Sequence, residues 1–356
     1  MYIETINTET NITMKHILSS FLTLLIVATP FAAQAQADLS VAAPEGTSLG
    51  ANDTIDYNGI ALGNRVKLRG YVDFIFSHTD DNSTDNTDFS TAADIDFLFD
   101  FSPVTGEIHL AADDEGVDLE QAFARYSFNQ DFNLSFGRQL TNLGFEGDEA
   151  PDLYAVTNAY YYQDYNGSGT AQLRRNYVDG IRFNFNNGQF GLSIGLHDDY
   201  FGVDDALNDN VAIDLAASVM IIPGLEARLG YAHQDRDHSA ENDIDQLNAW
   251  IAFNPGDLTL ALEYDLFDIY GDDLWNLMFL ANYQFVDWFG ATFRYSHEDI
   301  DHHGGGDSDA DRFTLAFLFS LTDNLFLNFE YSHTEVDTTG GDYDVDEIYI
   351  EGLFTF

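Results

Sequence analysis

The sequence predicts an all-β protein, a transmembrane, antiparallel, up-and-down β-barrel of about 16 strands, within a range of about 14 to 18. Three observations lead to this fold class. Segments of roughly ten residues alternate between apolar and polar side chains. The connectors between these segments are short and long in strict alternation. An export signal also lies near the start of the chain.

The export signal occupies residues 14–37. Lys15 provides a positive start, residues 17–28 form a short apolar core, and small residues follow at the expected cleavage site. The apolar run is too short for a membrane anchor, and no later stretch approaches the ~20 apolar residues that a transmembrane helix needs. The remaining parts are expected to be a mis-assigned start at 1–13, a mobile Gly-, Asp- and Asn-rich segment at 38–64, and the barrel at 65–356.

The strands are predicted from alternation with a period of two. In residues 91–101, for example, Ile95 and Phe97 fall on one face, and Asp94 and Asp96 fall on the other. The predicted strands are 66–76, 91–101, 106–112, 119–128, 132–139, 176–186, 189–197, 209–222, 224–234, 244–254, 257–267, 273–286, 288–297, 311–321, 325–334 and 346–356.

The connectors indicate how these strands are arranged. Seven are tight turns, which read SPVTG, NQD, NNG, PG, NPG, VDW and TDN. The longer, acidic connectors lie near 77–90, 113–118, 140–175, 198–208, 235–243, 268–272, 298–310 and 335–345. Short turns at one end and long loops at the other are typical of an outer-membrane barrel, with the short turns in the periplasm. An even number of strands would place both barrel termini at the short-turn end.

The apolar face is expected to contact lipid and the polar face to line a water-filled lumen. A barrel of this size is too wide for side chains to fill, and its polar face carries charged residues that suit water. Closure removes the open edges that lipid would not tolerate. Interfacial aromatic girdles are predicted at Tyr231, Tyr264, Trp288, Tyr295 and Tyr331. The alternative, an exported soluble β-sandwich, does not explain the alternation of short and long connectors.

Composition excludes several classes of protein. The formal net charge is −48, from 61 acidic and 13 basic residues, which makes nucleic acid an unsuitable partner. Aromatic residues make up 15% of the chain, which argues against disorder, and the absence of Cys removes disulfides and thiolate metal sites. No cofactor is expected. Enzyme activity is not expected either, because Ser296–His297 and Ser332–His333 occur without a nucleophile elbow.

Two stretches resemble known families. The chain ends DEIYIEGLFTF, and this aromatic end is similar to the signature of Gram-negative outer-membrane barrels. That resemblance implies that Phe354 and Phe356 form an assembly signal for the barrel-assembly machinery. The stretch FGRQLTNLGFEGDEAP, followed by NAYYYQDY, resembles the OmpL-like β-barrel porin family. The positions that match are Gly137, Arg138, Gly144, Phe145 and Glu146.

Candidate pore-lining residues lie on the wall and in the loop at 140–175. Arginines on the polar face would tune ion passage, or would form ion pairs with nearby wall acids. The loop is longer than a connection requires, and its Tyr residues suggest that it is ordered. It would form a constriction inside the barrel or, alternatively, an external lid. The candidates are Arg125, Arg182, Arg228 and Arg294 with Glu226 and Glu263 on the wall, and Glu146, Asp148, Glu149 and Asp152 in the loop.

A metal site is not expected, although one acidic stretch resembles one. Its candidate ligands are His302, His303, Asp307 and Asp309, with a spacing similar to that of a calcium loop. Arg312 lies where such a loop needs Gly, so a solvated acidic loop is the favoured interpretation.

The predicted function is that of an outer-membrane porin for passive diffusion of small hydrophilic solutes and ions, with a preference for cations. Two alternatives stay open. One is a substrate-selective channel, for example for saccharides, that uses the loop at 140–175. The other is a non-conducting structural or adhesion barrel. Expected partners are outer-membrane lipid and the assembly machinery, with a homotrimer as one form of assembly.

Overall fold

The computed structural model describes residues 60–81, 83–114, 116–147, 149–165, 171–202, 211–235 and 243–356. The predicted start, the signal peptide, most of the segment 38–64 and Asp148 lie outside these ranges. At the first described residues, Ile60 and Ala61 pair antiparallel with the beginning of the barrel. Within the described ranges, no helix is long and apolar enough to cross a membrane.

Sixteen strands form one closed antiparallel sheet, which confirms the predicted fold class and strand number. Each strand pairs with its chain neighbours, and the last strand pairs with the first from Asp346–Asp80 to Thr355–Tyr71. The strands are β1 Val66–Asp80, β2 Asp85–Phe101, β3 Val104–Ala112, β4 Val117–Ser127, β5 Phe132–Leu140, β6 Tyr177–Asn186, β7 Phe190–His197, β8 Ala212–Ile222, β9 Leu225–Gln234, β10 Ile244–Phe253, β11 Leu258–Ile269, β12 Asp272–Val286, β13 Phe289–Asp301, β14 Asp307–Thr322, β15 Leu325–Thr338 and β16 Tyr343–Thr355.

The two faces of the sheet have the predicted orientation. On β14, Phe313 is 44% exposed and Leu315 is similarly exposed, whereas Arg312 is only 4% exposed and Thr314 is buried. Most other strands repeat this arrangement, but β10 and β12 also turn large apolar side chains such as Trp250, Met278 and Leu280 inward. Such an inverted surface is stable only where the outside meets lipid rather than water.

The tight turns lie where they are predicted, but several strands on the opposite side are longer than predicted. The segments 77–90, 298–310 and 335–345 are mostly continued strand, and 302–306 is an example of the short turns that close them. The sequence pattern fails there for a physical reason. At 85–90, for example, every residue is exposed and all but Phe89 are polar, so the alternation of apolar and polar residues disappears.

Three of the predicted girdle tyrosines share one arrangement. The Tyr331 hydroxyl donates to Asp346 on the next strand at 2.5 Å, and Nδ1 of His333 contacts the same carboxylate at 2.9 Å. The other two sets are Tyr231 and His233 with Asp245, and Tyr295 and His297 with Asp311. In each set a hydroxyl and an imidazole link neighbouring strands across the outer surface.

Candidate functional site

The described residues of the connection between β5 and β6 lie inside the barrel and contact inward-facing side chains. It leaves β5 after Leu140 and turns at Gly144, whose φ of 115° favours glycine. The Gly144 N–H then donates to Asn248 at 3.3 Å, and the Phe145 N–H donates to Glu263 at 2.8 Å. We call residues 141–176 the inward loop.

Carboxylates of the barrel wall bind the backbone of the inward loop. Glu330 on β15 accepts hydrogen bonds from the N–H groups of Val156 and Thr157, at 2.6 and 2.9 Å. Glu298 on β13 accepts in the same way from Tyr161, at 2.5 Å. Hydrogen bonds from N–H groups to a buried carboxylate are stronger than those between neutral groups. The loop is therefore held at several points by wall acids.

Arg294 on β13 contacts the loop as a hydrogen-bond donor, whereas the wall carboxylates contact it as acceptors. Its guanidinium is 1% exposed and donates to the Glu146 carboxylate at 2.8 Å, the Thr157 carbonyl at 2.7 Å and the Asn158 carbonyl at 2.8 Å. One wall cation thus holds both an acid of the loop and two loop carbonyls.

Aromatic packing completes the attachment of the loop on the β10–β12 side. The Phe145 ring lies edge-on to Trp250, with centroids 5.5 Å apart, and stacks on Tyr154 at 5.9 Å. Tyr160 is buried in the same cluster, and the Arg174 guanidinium lies 3.7 Å from the centroid of its ring. Burial raises the pKa of the Tyr160 phenol well above its ordinary value. These rings keep the loop against one side of the barrel.

A cavity lies on the other side, between the inward loop and β1–β4, and we call it the passage. It is about 460 Å³ in volume, and alanines such as Ala92 and Ala111 line its wall. Among the described residues that line it, none is Lys or Arg. The acidic residues that line it are Asp73, Asp113, Asp118, Glu120 and Glu149.

The four predicted wall arginines all point into the barrel. Arg125 lies 3.8 Å from Glu107, and Arg182 donates to the Leu140 carbonyl at 2.9 Å. Arg228 is buried on β9, near Glu226. Arg182 and Arg228 lie close enough to interact with each other and with Arg175 of the loop, whereas Arg125 and Arg294 contact other carboxylates.

The predicted loop acids take separate positions. Glu146 meets Arg294, as described, and Glu149 accepts a hydrogen bond from the Tyr177 hydroxyl at 2.7 Å. Asp152 lies in the short 3₁₀ turn Ala150–Asp152. The expected contact between loop acids and wall arginines therefore occurs at Glu146.

The residues of the weak metal candidate do not converge within the described ranges. Both His302, through Nδ1, and His303, through its backbone N–H, contact Asp272 at 2.8 Å. Asp307 and Asp309 lie on β14. The described residues that could hold an ion together lie elsewhere, around Asp94.

The two Ser–His pairs are separated by the geometry of a strand. Ser296 points inward and donates to the Ala159 carbonyl at 2.5 Å, whereas His297 points outward to Asp311. Ser332 and His333 diverge in the same way, since Ser332 bonds Glu330 inside and His333 bonds Asp346 outside.

Sequence reasoning missed several residues that hold the loop, namely Asn248, Glu298, Glu330 and Arg174. A signal was present for two of them. Glu298 shares the polar face of its strand with Arg294, and Glu330 lies on a polar face as well. However, many acids have this placement, and alternation does not indicate which of them meet the loop.

Comparison with known proteins agrees with this geometry. Residues 22–339 match the Gram-negative porin family, and a comparison with curated proteins found no match. An anion-selective porin from Comamonas acidovorans superimposes with a TM-score of 0.59 at 15% identity, covering 82% of this chain and 99% of that one.

Two further porin structures show the same fold. Salmonella typhi OmpF in complex with daunomycin gives a TM-score of 0.63 at 13% identity, covering 83% of this chain and 98% of that one. The trimer form of in-vitro folded Vibrio cholerae OmpT gives a TM-score of 0.58 at 14% identity, covering 82% of this chain and 100% of that one. The resemblance to the OmpL-like family is not tested by these matches and stays a prediction. The family match covers most of the chain, so this protein belongs to the Gram-negative porin family and is a channel of the outer membrane.

Proposed function

We propose that this porin allows passive diffusion of small hydrophilic solutes and prefers cations. The observation that carries the proposal is the acidic passage between the inward loop and β1–β4, whose described lining contains five acids and no Lys or Arg. Rings of Asp and Glu favour cations in a narrow pore. No covalent step is required for transport.

Two of the inward-facing arginines, Arg294 and Arg312, each have a carboxylate partner. Arg294 is paired with Glu146 at 2.8 Å, and Arg312 is paired with Glu347 at 2.6 Å. An ion in the passage therefore meets the carboxylates at close range, while each of these two arginines has a carboxylate beside it. The acidic lining dominates because screening in salt solution of about 0.1 M acts over about 10 Å.

The fold alone does not set selectivity, since an anion-selective porin has the same architecture. The choice of ion must come from side chains in the passage. Two of the loop tyrosines favour a general channel over a saccharide-selective one. Tyr160 and Tyr165 are buried, so their ring faces are not presented to a solute.

The proposal is tested by reversal potentials across planar bilayers in a KCl gradient. We expect permeability to K⁺ to exceed permeability to Cl⁻, and Asp118→Asn to reduce that ratio because Asp118 lines the passage. Asp257→Asn is the matched control, since Asp257 is exposed in a tight turn between β10 and β11. A preference for Cl⁻, or equal effects of the two variants, would contradict the proposal.

We also propose that the protein assembles as a homotrimer, contacts outer-membrane lipid and is recognised by the assembly machinery through Phe354 and Phe356. The trimer form of the similar OmpT structure supports the first point. Phe354 supports the second, since it is exposed on the outer face near the chain end. Native mass spectrometry in detergent would give the mass of three chains, and a monomer mass would contradict the trimer.

A further inference from the structure

Asp94 is a buried carboxylate whose surroundings do not satisfy it. It points into the barrel from β2, is 1% exposed, and its Oδ2 atom has no hydrogen-bond partner. Its carboxylate also lies against those of Asp96 and Glu120. A buried anion without a partner is costly, and neighbouring anions raise the cost further.

Three carboxylates from separate elements meet at this point. They belong to Asp94 on β2, Glu120 on β4 and Glu149 in the inward loop, with one oxygen of each within 4.8 Å of the others. A calcium ion binds oxygen ligands at about 2.3–2.6 Å, so two of its ligands can lie up to about 5 Å apart. The spacing of the three oxygens therefore suits ligands of a single ion.

Nearby cationic groups are already paired. Arg69 lies 2.6 Å from Asp96, and His109 contacts Asp96 through Nδ1 at 2.9 Å and Glu107 through Nε2 at 3.0 Å. Both imidazole nitrogens are thus occupied, although Asp96 and His109 also lie close to Asp94. The three carboxylates, rather than His109, are the suitable ligands.

We propose that Asp94, Glu120 and Glu149 bind one hard divalent cation of the calcium type. Carboxylate oxygens favour such an ion over transition metals, which prefer nitrogen or sulfur. The ion would compensate the buried charge of Asp94. It would also tie the inward loop, through Glu149, to the wall at β2 and β4.

Glu120 and Glu149 also line the acidic passage. Binding would therefore remove negative charge from the lining and lower cation conductance. This second consequence rests on the proposed function, whereas ion binding itself does not.

The binding test uses the full refolded barrel, stripped with EDTA and titrated with Tb³⁺, whose luminescence is sensitised by tyrosine. We expect one saturable site that Ca²⁺ displaces, above a weak background from surface acids. Asp94→Asn and Glu149→Gln should each weaken it by about tenfold or more, because affinity depends on the number of charged ligands. Asp323→Asn, in an exposed tight turn, is the matched control and should leave the titration unchanged.

Equal titrations for the wild type and both ligand variants would overturn the proposal, as would the absence of a saturable site. If the three carboxylates share a proton and bind no ion, the titration would show no saturable site. Glu149→Gln keeps the test valid if Asp94→Asn fails to fold, since Glu149 lies in a loop outside the barrel strands. Conductance with and without Ca²⁺ is recorded separately. A barrel that lacks cation preference but binds Tb³⁺ would contradict only the proposed function.

Discussion

Replacing Arg294 should release the inward loop. Arg294→Met keeps an unbranched stem but removes the guanidinium that contacts Glu146 and the carbonyls of Thr157 and Asn158. Removal of one partner from a buried ion pair costs about 3–5 kcal/mol. Water can enter the lumen once the loop moves, so we use the lower end, about 3 kcal/mol. At 1.4 kcal/mol per tenfold, the ratio of docked to undocked loop should fall by about two orders of magnitude.

The assay combines single-channel recording with limited proteolysis of the loop. We expect noisier, larger open-channel currents and faster cleavage between β5 and β6. Arg138→Met is the matched control, because the Arg138–Asp179 pair has side chains that are 35% and 57% exposed and should contribute at most about 1 kcal/mol. In a double-mutant cycle, Glu146→Gln combined with Arg294→Met should be less harmful than the sum of the single changes. Currents and cleavage rates that match the wild type and Arg138→Met would refute the reasoning.

Three further predictions concern the loop and the chain end. Glu330→Gln weakens the acceptor for two loop N–H groups, so the free energy of loop docking should fall by about 1–3 kcal/mol, and the current noise should increase. The control Glu335→Gln changes an exposed carboxylate and should leave the current unchanged. Burial first, then nearby charges, raise the pKa of Tyr162 from 10.0 to about 12, so loop docking should be fully stable below pH 10 and weaken as pH rises toward 12. Buried Tyr160 also has a raised pKa, so Tyr162→Phe should remove one tyrosine from a late-titrating set in the phenolate absorbance; an unchanged titration curve would count against this. Deleting Phe356 removes its two backbone hydrogen bonds with Gly70, at 2.9 and 3.0 Å, and should impair membrane assembly measured by heat-modifiable migration; normal assembly would exclude an assembly role.

The barrel could be predicted from sequence because its determinants are local. A strand between lipid and water alternates residue by residue, as Phe313 and Arg312 illustrate, so the pattern reveals both the strand and its orientation. Tight turns such as 223–224 are equally local. The extension of β1 to Asp80 and of β2 back to Asp85 escaped prediction, because the alternation disappears where side chains on both faces are exposed.

The site depended on contacts between distant parts of the chain. The length and aromatic content of the inward loop predict an ordered segment, but they do not name its partners. Phe145 and Glu263 are separated by 118 positions, and Val156 and Glu330 by 174. Only closure of the sheet brings these residues together.

By itself, the sequence predicted a barrel of about 16 strands, its lipid-facing side and the pairing of the C-terminal strand with β1. Only the tertiary structure decided which wall acids hold the loop, where the passage remains, and that Asp94, Glu120 and Glu149 meet. The physical reason is that the alternation of a strand depends only on consecutive residues of the sequence. The meeting of three carboxylates from β2, β4 and the inward loop depends instead on how the closed barrel curves around that loop.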